Sequence, residues 1–219
     1  MSSSVVTWNA LADSYDDDRK DDRIYHFCID AVSRIVNRSH PGRVLDAGCG
    51  TGLTTAPVCC DGRVVCAADY SLESLRHLKA KLSSPRATAA DICALPFASG
   101  YFSAVLCSNT LQHLSPEQQP TAIRELLRVL SPGGTLVLTV HHYSRAKQRL
   151  GWIKEGQPGM AGIDYIFRFT REDLRRLLPR ASIAAIGLGT RFDRVLPMHA
   201  RQLLAQMGYG HMLMAVMRV

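Results

Sequence analysis

Three features of this 219-residue sequence predict a Rossmann-like α/β fold, a seven-stranded, mostly parallel sheet covered by helices on both faces. Apolar strand-like runs alternate with segments of helical period, the first run breaks into alternating glycines, and successive runs end on acidic or small polar residues. Strands alternating with helices favour parallel pairing through helical crossovers, and such sheets hold ligands at the carboxyl ends of their strands. With 47% hydrophobic residues and no repeat or low-complexity tract, the chain suits one domain.

Residues 1 to 40 carry Trp8, Tyr15, Tyr25 and Phe27 and are expected to form a helical cover, with the core following over 41 to 140. Val44-Leu45-Asp46-Ala47 is the first strand; Gly48, Gly50 and Gly52 then allow positive φ and close approach to a ligand. A helix is expected from about Leu53, its N-terminal amides facing that ligand. Arg63 to Ser71 reads as the second strand, Ala89-Ala90-Asp91-Ile92 lies at the end of the third, and Phe102 to Asn109 is the fourth. Ser115-Pro116-Glu117-Gln118 signals a helix start, with serine as N-cap, and Ile123, Leu126, Leu127 and Leu130 recur at helical spacing before Ser131-Pro132-Gly133-Gly134. Gly134 to Val140 is the fifth strand. Residues 141 to 168, with Trp152, Tyr165, Phe167 and the Gly156-Gln157-Pro158-Gly159 run, read as an inserted lid. Residues 169 to 219 complete the sheet: a helix from Thr170, strands at Ser182–Leu188 and His211–Met217, and an amphipathic helix over Pro197–Met207 between them.

The acids along the ligand edge narrow the chemistry. Asp46, just before the glycines, would repel a pyrophosphate and suits a ligand with a free amino group, which S-adenosylmethionine (SAM) carries. Asp69, 23 residues later, stands where a Rossmann-like unit accepts hydrogen bonds from both ribose hydroxyls, and Asp91 adds a third acid beside an apolar residue suited to adenine. In order and spacing from Trp8 to Gly134, the series resembles the class I SAM-dependent methyltransferases of the small type 11 family. The resemblance implies SAM as cofactor and S-adenosylhomocysteine as product. It implies cofactor contacts at Tyr15, Asp46, Gly48, Gly50, Asp69, Tyr70, Asp91, Ile92 and Ser108, and an antiparallel pairing of the last two strands.

For the acceptor, His113 follows the fourth strand and matches the histidine that deprotonates hydroxyl acceptors in many small-molecule O-methyltransferases; the competing role is packing under its loop. His141-His142-Tyr143 follows the fifth strand, and adjacent side chains diverge, so at most one of His141 and His142 faces substrate. No third ligand stands at metal-binding spacing, and the seven cysteines form no Cys-x-x-Cys pair and no iron-sulfur triplet. The expected reaction is therefore polar methyl transfer to oxygen or nitrogen of a small molecule. Residues 145 to 219 hold 13 basic and 5 acidic side chains, so methylation of RNA such as transfer RNA is the alternative, and a SAM-binding module without activity is a second. No apolar run is long enough to span a bilayer, and the N-terminus lacks signal-peptide character, which predicts a cytoplasmic protein without membrane partners.

Overall fold

The computed structural model describes residues 3–38, 42–59, 63–156, 163–187 and 197–219. Seven strands form one sheet in the order β3 (Arg86–Ala89), β2 (Val64–Asp69), β1 (Arg43–Ala47), β4 (Phe102–Ser108), β5 (Leu130–His141), β9 (Met212–Arg218), β8 (Ser182–Ile186). Strands β1 to β5 pair in parallel, whereas β9 runs antiparallel to both neighbours, as the resemblance implies. Strand order reverses between β1 and β4, which opens a crevice at their carboxyl ends.

The two-residue period of the strands sorts the core onto two faces. Val44, Val65, Ala104, Leu106 and Val137 meet Val32 and Val36 of α3 (Arg23–Arg38) on one side. Leu45, Val105, Cys107, Leu136 and Leu138 meet Ile123 and Leu126 of α5 (Gln119–Arg128) and Leu174 of α7 (Arg171–Leu177) on the other. Helix α4 (Leu72–Lys81) packs Leu75 and Leu78 on Ala67, the same side as α3. Both faces are thus covered, which explains why β4 is apolar almost throughout. Helix α7 begins on a capping box between Thr170 and Asp173. Helices α1 (Ser3–Leu11) and α2 (Tyr15–Arg19) lie over the ligand edge. The insertion holds α6 (Arg145–Arg149) and a short hairpin of β6 (Glu155–Gly156) with β7 (Ile166–Phe167). Helix α8 (Met198–Leu204) and a wider helical turn over Ala205–Tyr209 precede β9.

Three local expectations are corrected. After the glycine loop there is no helix from Leu53, only a 3-10 turn at Ala56–Val58. Pro57 lacks an N–H, and the Thr54 and Thr55 hydroxyls are drawn inward to Asp46, so the segment winds one turn and stops. At Ser115 the glutamine does reach back, Ser115 N donating to Gln118 Oε1 at 3.2 Å, but residues 116 to 118 form a turn and α5 starts at Gln119. Leu130 does not continue that helix; it opens β5, paired with Phe102. Residues 157 to 159 of the glycine-proline run lie outside the described residues.

Candidate active site

A cavity of about 300 Å³ opens at the strand-order reversal, lined by the glycine loop, the ends of β2 and β4, the segment after β3, and the N-terminal cover. Its floor is set by backbone geometry. Gly48 and Gly50 have φ of +76° and +52°, and a Cβ on Gly48 would stand 2.2 Å from Thr110 Oγ1. A Cβ on Gly50, by contrast, would meet nothing within 4 Å, so the loop backbone is bare toward the cavity. Gly48 N and Cys49 N donate to Ala68 O, tying the loop to β2.

Asp46 is fully buried behind this loop and does not line the cavity. Its Oδ2 accepts the hydroxyls of Thr54 at 2.8 Å and Thr55 at 2.7 Å, while Oδ1 is buried with no partner. Burial raises its carboxyl to about 7, against the two hydroxyl bonds. Asp69 does line the cavity. Its Oδ2 accepts Gly50 N at 2.7 Å and its Oδ1 accepts Ser71 N at 2.8 Å, so one carboxylate clamps the glycine loop to the end of β2; burial raises its pKa too. Tyr70, Asp91 and Ile92 follow on the same wall, Asp91 exposed and Ile92 buried. Ser108 bonds Thr139 at 2.7 Å and contributes to the wall from β4.

The sequence places Asn109 on the ligand edge beside Ser108 but does not single it out as a contact residue. Asn109 holds φ of +57°, the one positive φ on a non-glycine residue among the described residues, and its Oδ1 is buried without a partner in the cavity wall. Asparagine directly after an apolar strand was the available signal, because it tolerates left-handed backbone better than other side chains.

The cover closes the cavity with Trp8, Ala12, Tyr15 and Tyr25. Three polar residues pin it in place. Asn9 Oδ1 accepts Ser71 Oγ at 2.7 Å and Glu73 N at 3.3 Å at the start of α4, Asp13 meets His77 at 2.8 Å, and Asp16 accepts Thr51 Oγ1 at 2.5 Å and pairs with Lys81. Opposite, His113 lines the cavity with its ring 4.7 Å from that of Trp8. His113 Nδ1 lies 3.1 Å from Tyr165 O of the insertion; a carbonyl only accepts, so Nδ1 carries the proton and Nε2 keeps the lone pair. Burial depresses this imidazole to about 4, so it is neutral at pH 7.

His141 and His142 are not brought to this cavity. His142 is buried, its Nδ1 bonded to Gly210 O at 2.9 Å, and the His141 ring faces His211 at 5.8 Å. His141 ends β5 and His142 follows it, and the insertion begins there and turns the chain back, with Tyr143 N donating to Phe169 O. Within the basic stretch, Lys147 and Arg168 are buried and Lys154 pairs with Asp173, while Arg145, Arg149, Arg175, Arg176 and Arg180 are exposed.

Residues 45–138 match the family model described as a methyltransferase domain. Over these residues the chain is similar to that family. Demethylmenaquinone methyltransferase of Renibacterium salmoninarum is 39% identical over 111 residues, half of this chain and 44% of that protein. Malonyl-[acyl-carrier protein] O-methyltransferase of Erwinia pyrifoliae is 37% identical over 109 residues, 48% of this chain and 41% of its own length. The chain spans less than half the length of these relatives. In fold, it is similar to a SAM-dependent methyltransferase of Thermotoga maritima described as a possible histamine N-methyltransferase, with a TM-score of 0.72, 16% identity, and 97% and 98% of the two chains covered. It is also similar to the 1,6-didemethyltoxoflavin-N1-methyltransferase of Burkholderia thailandensis, with a TM-score of 0.66, 19% identity, and 98% and 87% covered.

Proposed function

We propose that the chain is a SAM-dependent methyltransferase that transfers a methyl group to an oxygen or nitrogen of a small-molecule acceptor. The observation that carries this reading is the convergence of the bare Gly50 backbone, Asp69, Asp91 and Ile92 on one covered cavity. The residues fit the cofactor. The Asp69 carboxylate accepts the backbone N–H groups of Gly50, Ser71 and Tyr70, and its four lone pairs leave capacity for a hydroxyl. Asp46, buried with Oδ1 unpartnered, favours a cationic ligand in front of Thr54, and such a ligand in turn favours its ionised form. The missing helix after the loop points the same way, because a single 3-10 turn offers little of the dipole that attracts a pyrophosphate.

When bound, SAM supplies a methyl group already activated on a sulfonium. The protein's part is to align the acceptor, exclude water and accept a proton. Trp8, Tyr15 and Tyr25 roof the site, and His113 offers Nε2 as base, neutral at pH 7 and held in that tautomer by the Tyr165 carbonyl. One relative is an O-methyltransferase and one protein of similar fold is an N1-methyltransferase, which supports acceptors of both kinds.

Calorimetric titration with SAM, S-adenosylhomocysteine and NAD tests the cofactor: binding of the first two is expected, and NAD heat without SAM heat overturns the proposal. Incubation with methyl-labelled SAM and a polymer-free metabolite extract tests the acceptor. Label appearing only in transfer RNA, with salt-sensitive binding, would replace the small molecule by the RNA alternative.

A further inference from the structure

Where the insertion meets the end of β5 lies a group of basic side chains, with no carboxylate bonded to them among the described residues. We propose that Lys147 and Arg168, with the His141 and His211 imidazoles, form a binding site for an acidic group, a carboxylate or a phosphate, carried by the methyl acceptor. The acceptor part of this inference rests on the proposed function; the anion site itself does not.

Lys147 is 6% exposed and Arg168 is 3% exposed. Both lie over the same indole, Lys147 Nζ at 5.3 Å and the Arg168 guanidinium carbon at 5.1 Å from the Trp152 ring centroid. Their polar partners are neutral carbonyls: Lys147 Nζ donates to His211 O at 3.2 Å, and an Arg168 terminal nitrogen donates to Ile153 O at 2.8 Å. Arg168 Nε is buried with no partner. Two buried cations that repel each other normally recruit a carboxylate, because the cost of desolvating each is several kcal/mol and their repulsion adds to it. Neither has one among the described residues, and within this group Asp22 acts electrostatically on His211 and not on Lys147 or Arg168. Arginine stays charged under any ordinary condition. The Lys147 ammonium is pushed down to about 7 by burial and then by Arg168, the behaviour of a cation awaiting a counter-charge.

Position assigns that counter-charge to the acceptor. His141 N donates to the Oε1 of Gln112, the residue before His113. Arg168 follows β7, three residues after Tyr165, whose carbonyl holds His113. His141 and His211 are only partly buried, so the group is not sealed. An acceptor reaching past His113 would place a negative group against this pair, and a guanidinium with a free Nε–H matches an oxyanion.

Thermal melting at pH 6.5 with inorganic phosphate or malonate, against chloride at matched ionic strength, reads the site without any methyl transfer. Saturable stabilisation is expected for at least one anion, and the responding anion distinguishes phosphate from carboxylate. Lys147→Met and Arg168→Gln should each weaken the apparent affinity about tenfold or more. Lys147→Met should fold without anion and melt no lower than the parent, so it carries the test if Arg168→Gln does not fold. No saturable response in the parent, or the same response in Lys147→Met, overturns the site. Methyl label from SAM should then enter acceptors retained on an anion exchanger; label only in the unretained fraction overturns the assignment to the acceptor. SAM titration separates the two proposals: an anion response without SAM heat sinks the methyltransferase reading and leaves the anion site standing.

Discussion

His113 shows how a single hydrogen bond sets a residue's chemistry. With Nδ1–H given to Tyr165 O, the ring is fixed in the tautomer that leaves Nε2 basic, yet burial holds its pKa near 4. His113→Gln should therefore lower turnover roughly 100-fold, keep SAM affinity, and remove an acid limb centred near pH 4, well below the usual imidazole range. A fall in melting temperature with parallel losses of turnover and SAM affinity would make it a packing residue. Asp69 combines two tasks, because its oxygens hold Gly50 N and Ser71 N as well as facing the cavity. Alanine there would also release the glycine loop, so Asp69→Asn is the cleaner test. It should weaken SAM by roughly 10- to 100-fold, the loss of charge-assisted bonds worth about 1.5 to 3 kcal/mol, and unchanged calorimetry would remove Asp69 from the site. Asn109 is the opposite case, a strained residue with an unused buried oxygen. Asn109→Gly relieves a left-handed conformation that costs an L-residue about 1 to 2 kcal/mol, so the variant should melt no lower than the parent. If Oδ1 positions the acceptor, KM for the acceptor should rise several-fold at unchanged SAM affinity; a lowered melting temperature would instead reveal a packing role.

At the scale of elements, the parallel core was legible because buried strands announce themselves as apolar runs and their ends fall on the ligand edge. Asp46, Asp69, Asp91 and Ser108 could be placed at that edge from sequence for this reason. The helix after the glycines was misread because a helical window says nothing about Thr54 and Thr55 turning inward to Asp46. Hairpin β6–β7 has two residues per strand, too few for any period to show. His141 and His142 stand at the end of a correctly read strand, but their direction is decided by the Phe169 and Gly210 backbone, far away in sequence. The cover was legible as aromatic helices, whereas its attachment was not, since Asn9 reaches residues more than sixty positions away. That attachment yields a prediction about α1. Asn9→Ala removes the acceptor for Ser71 Oγ and Glu73 N and should loosen the cover without disturbing the sheet. S-adenosylhomocysteine should then leave several-fold faster in stopped-flow fluorescence of Trp8, at nearly unchanged melting temperature. Identical release rates would make α1 a fixed part of the wall rather than a lid.

Across the whole molecule, buried titratable groups set a pH window for stability, and the signs can be worked through. His113 and His142 lie near 4, His211 near 3, and His141 well below its ordinary value, all chiefly through burial. The unfolded chain takes up protons on these imidazoles from about pH 6.5 downward, while the folded chain does not until about pH 4, so stability falls as pH drops through that interval. Asp46, raised to about 7, acts oppositely: the folded state keeps a proton that the unfolded state has released, and its contribution fades as pH rises from about 4 to 7, while Asp69, also raised, acts in the same direction. Four imidazoles against two carboxyls give a net loss on the acid side. On the alkaline side, Lys147 near 7 favours folding as pH climbs toward about 10, because only the unfolded lysine still holds its proton there. The buried thiols oppose it, since Cys28 and Cys107 are raised to about 12 and Cys93 to about 11, and they keep protons that unfolded thiols lose above about pH 8.5. Melting temperature should therefore be highest between about pH 7 and 8.5 and fall steeply toward pH 5, measured in buffers free of phosphate and carboxylates so that the Lys147–Arg168 group stays unfilled. Saturating SAM should deepen the acid-side fall. A cation in front of Asp46 lowers its pKa, which removes one of the two carboxyl contributions that oppose the imidazoles. A melting temperature flat from pH 7.5 to 5 would mean that the four histidines are not held as neutral rings, and the base assigned at His113 would fall with them.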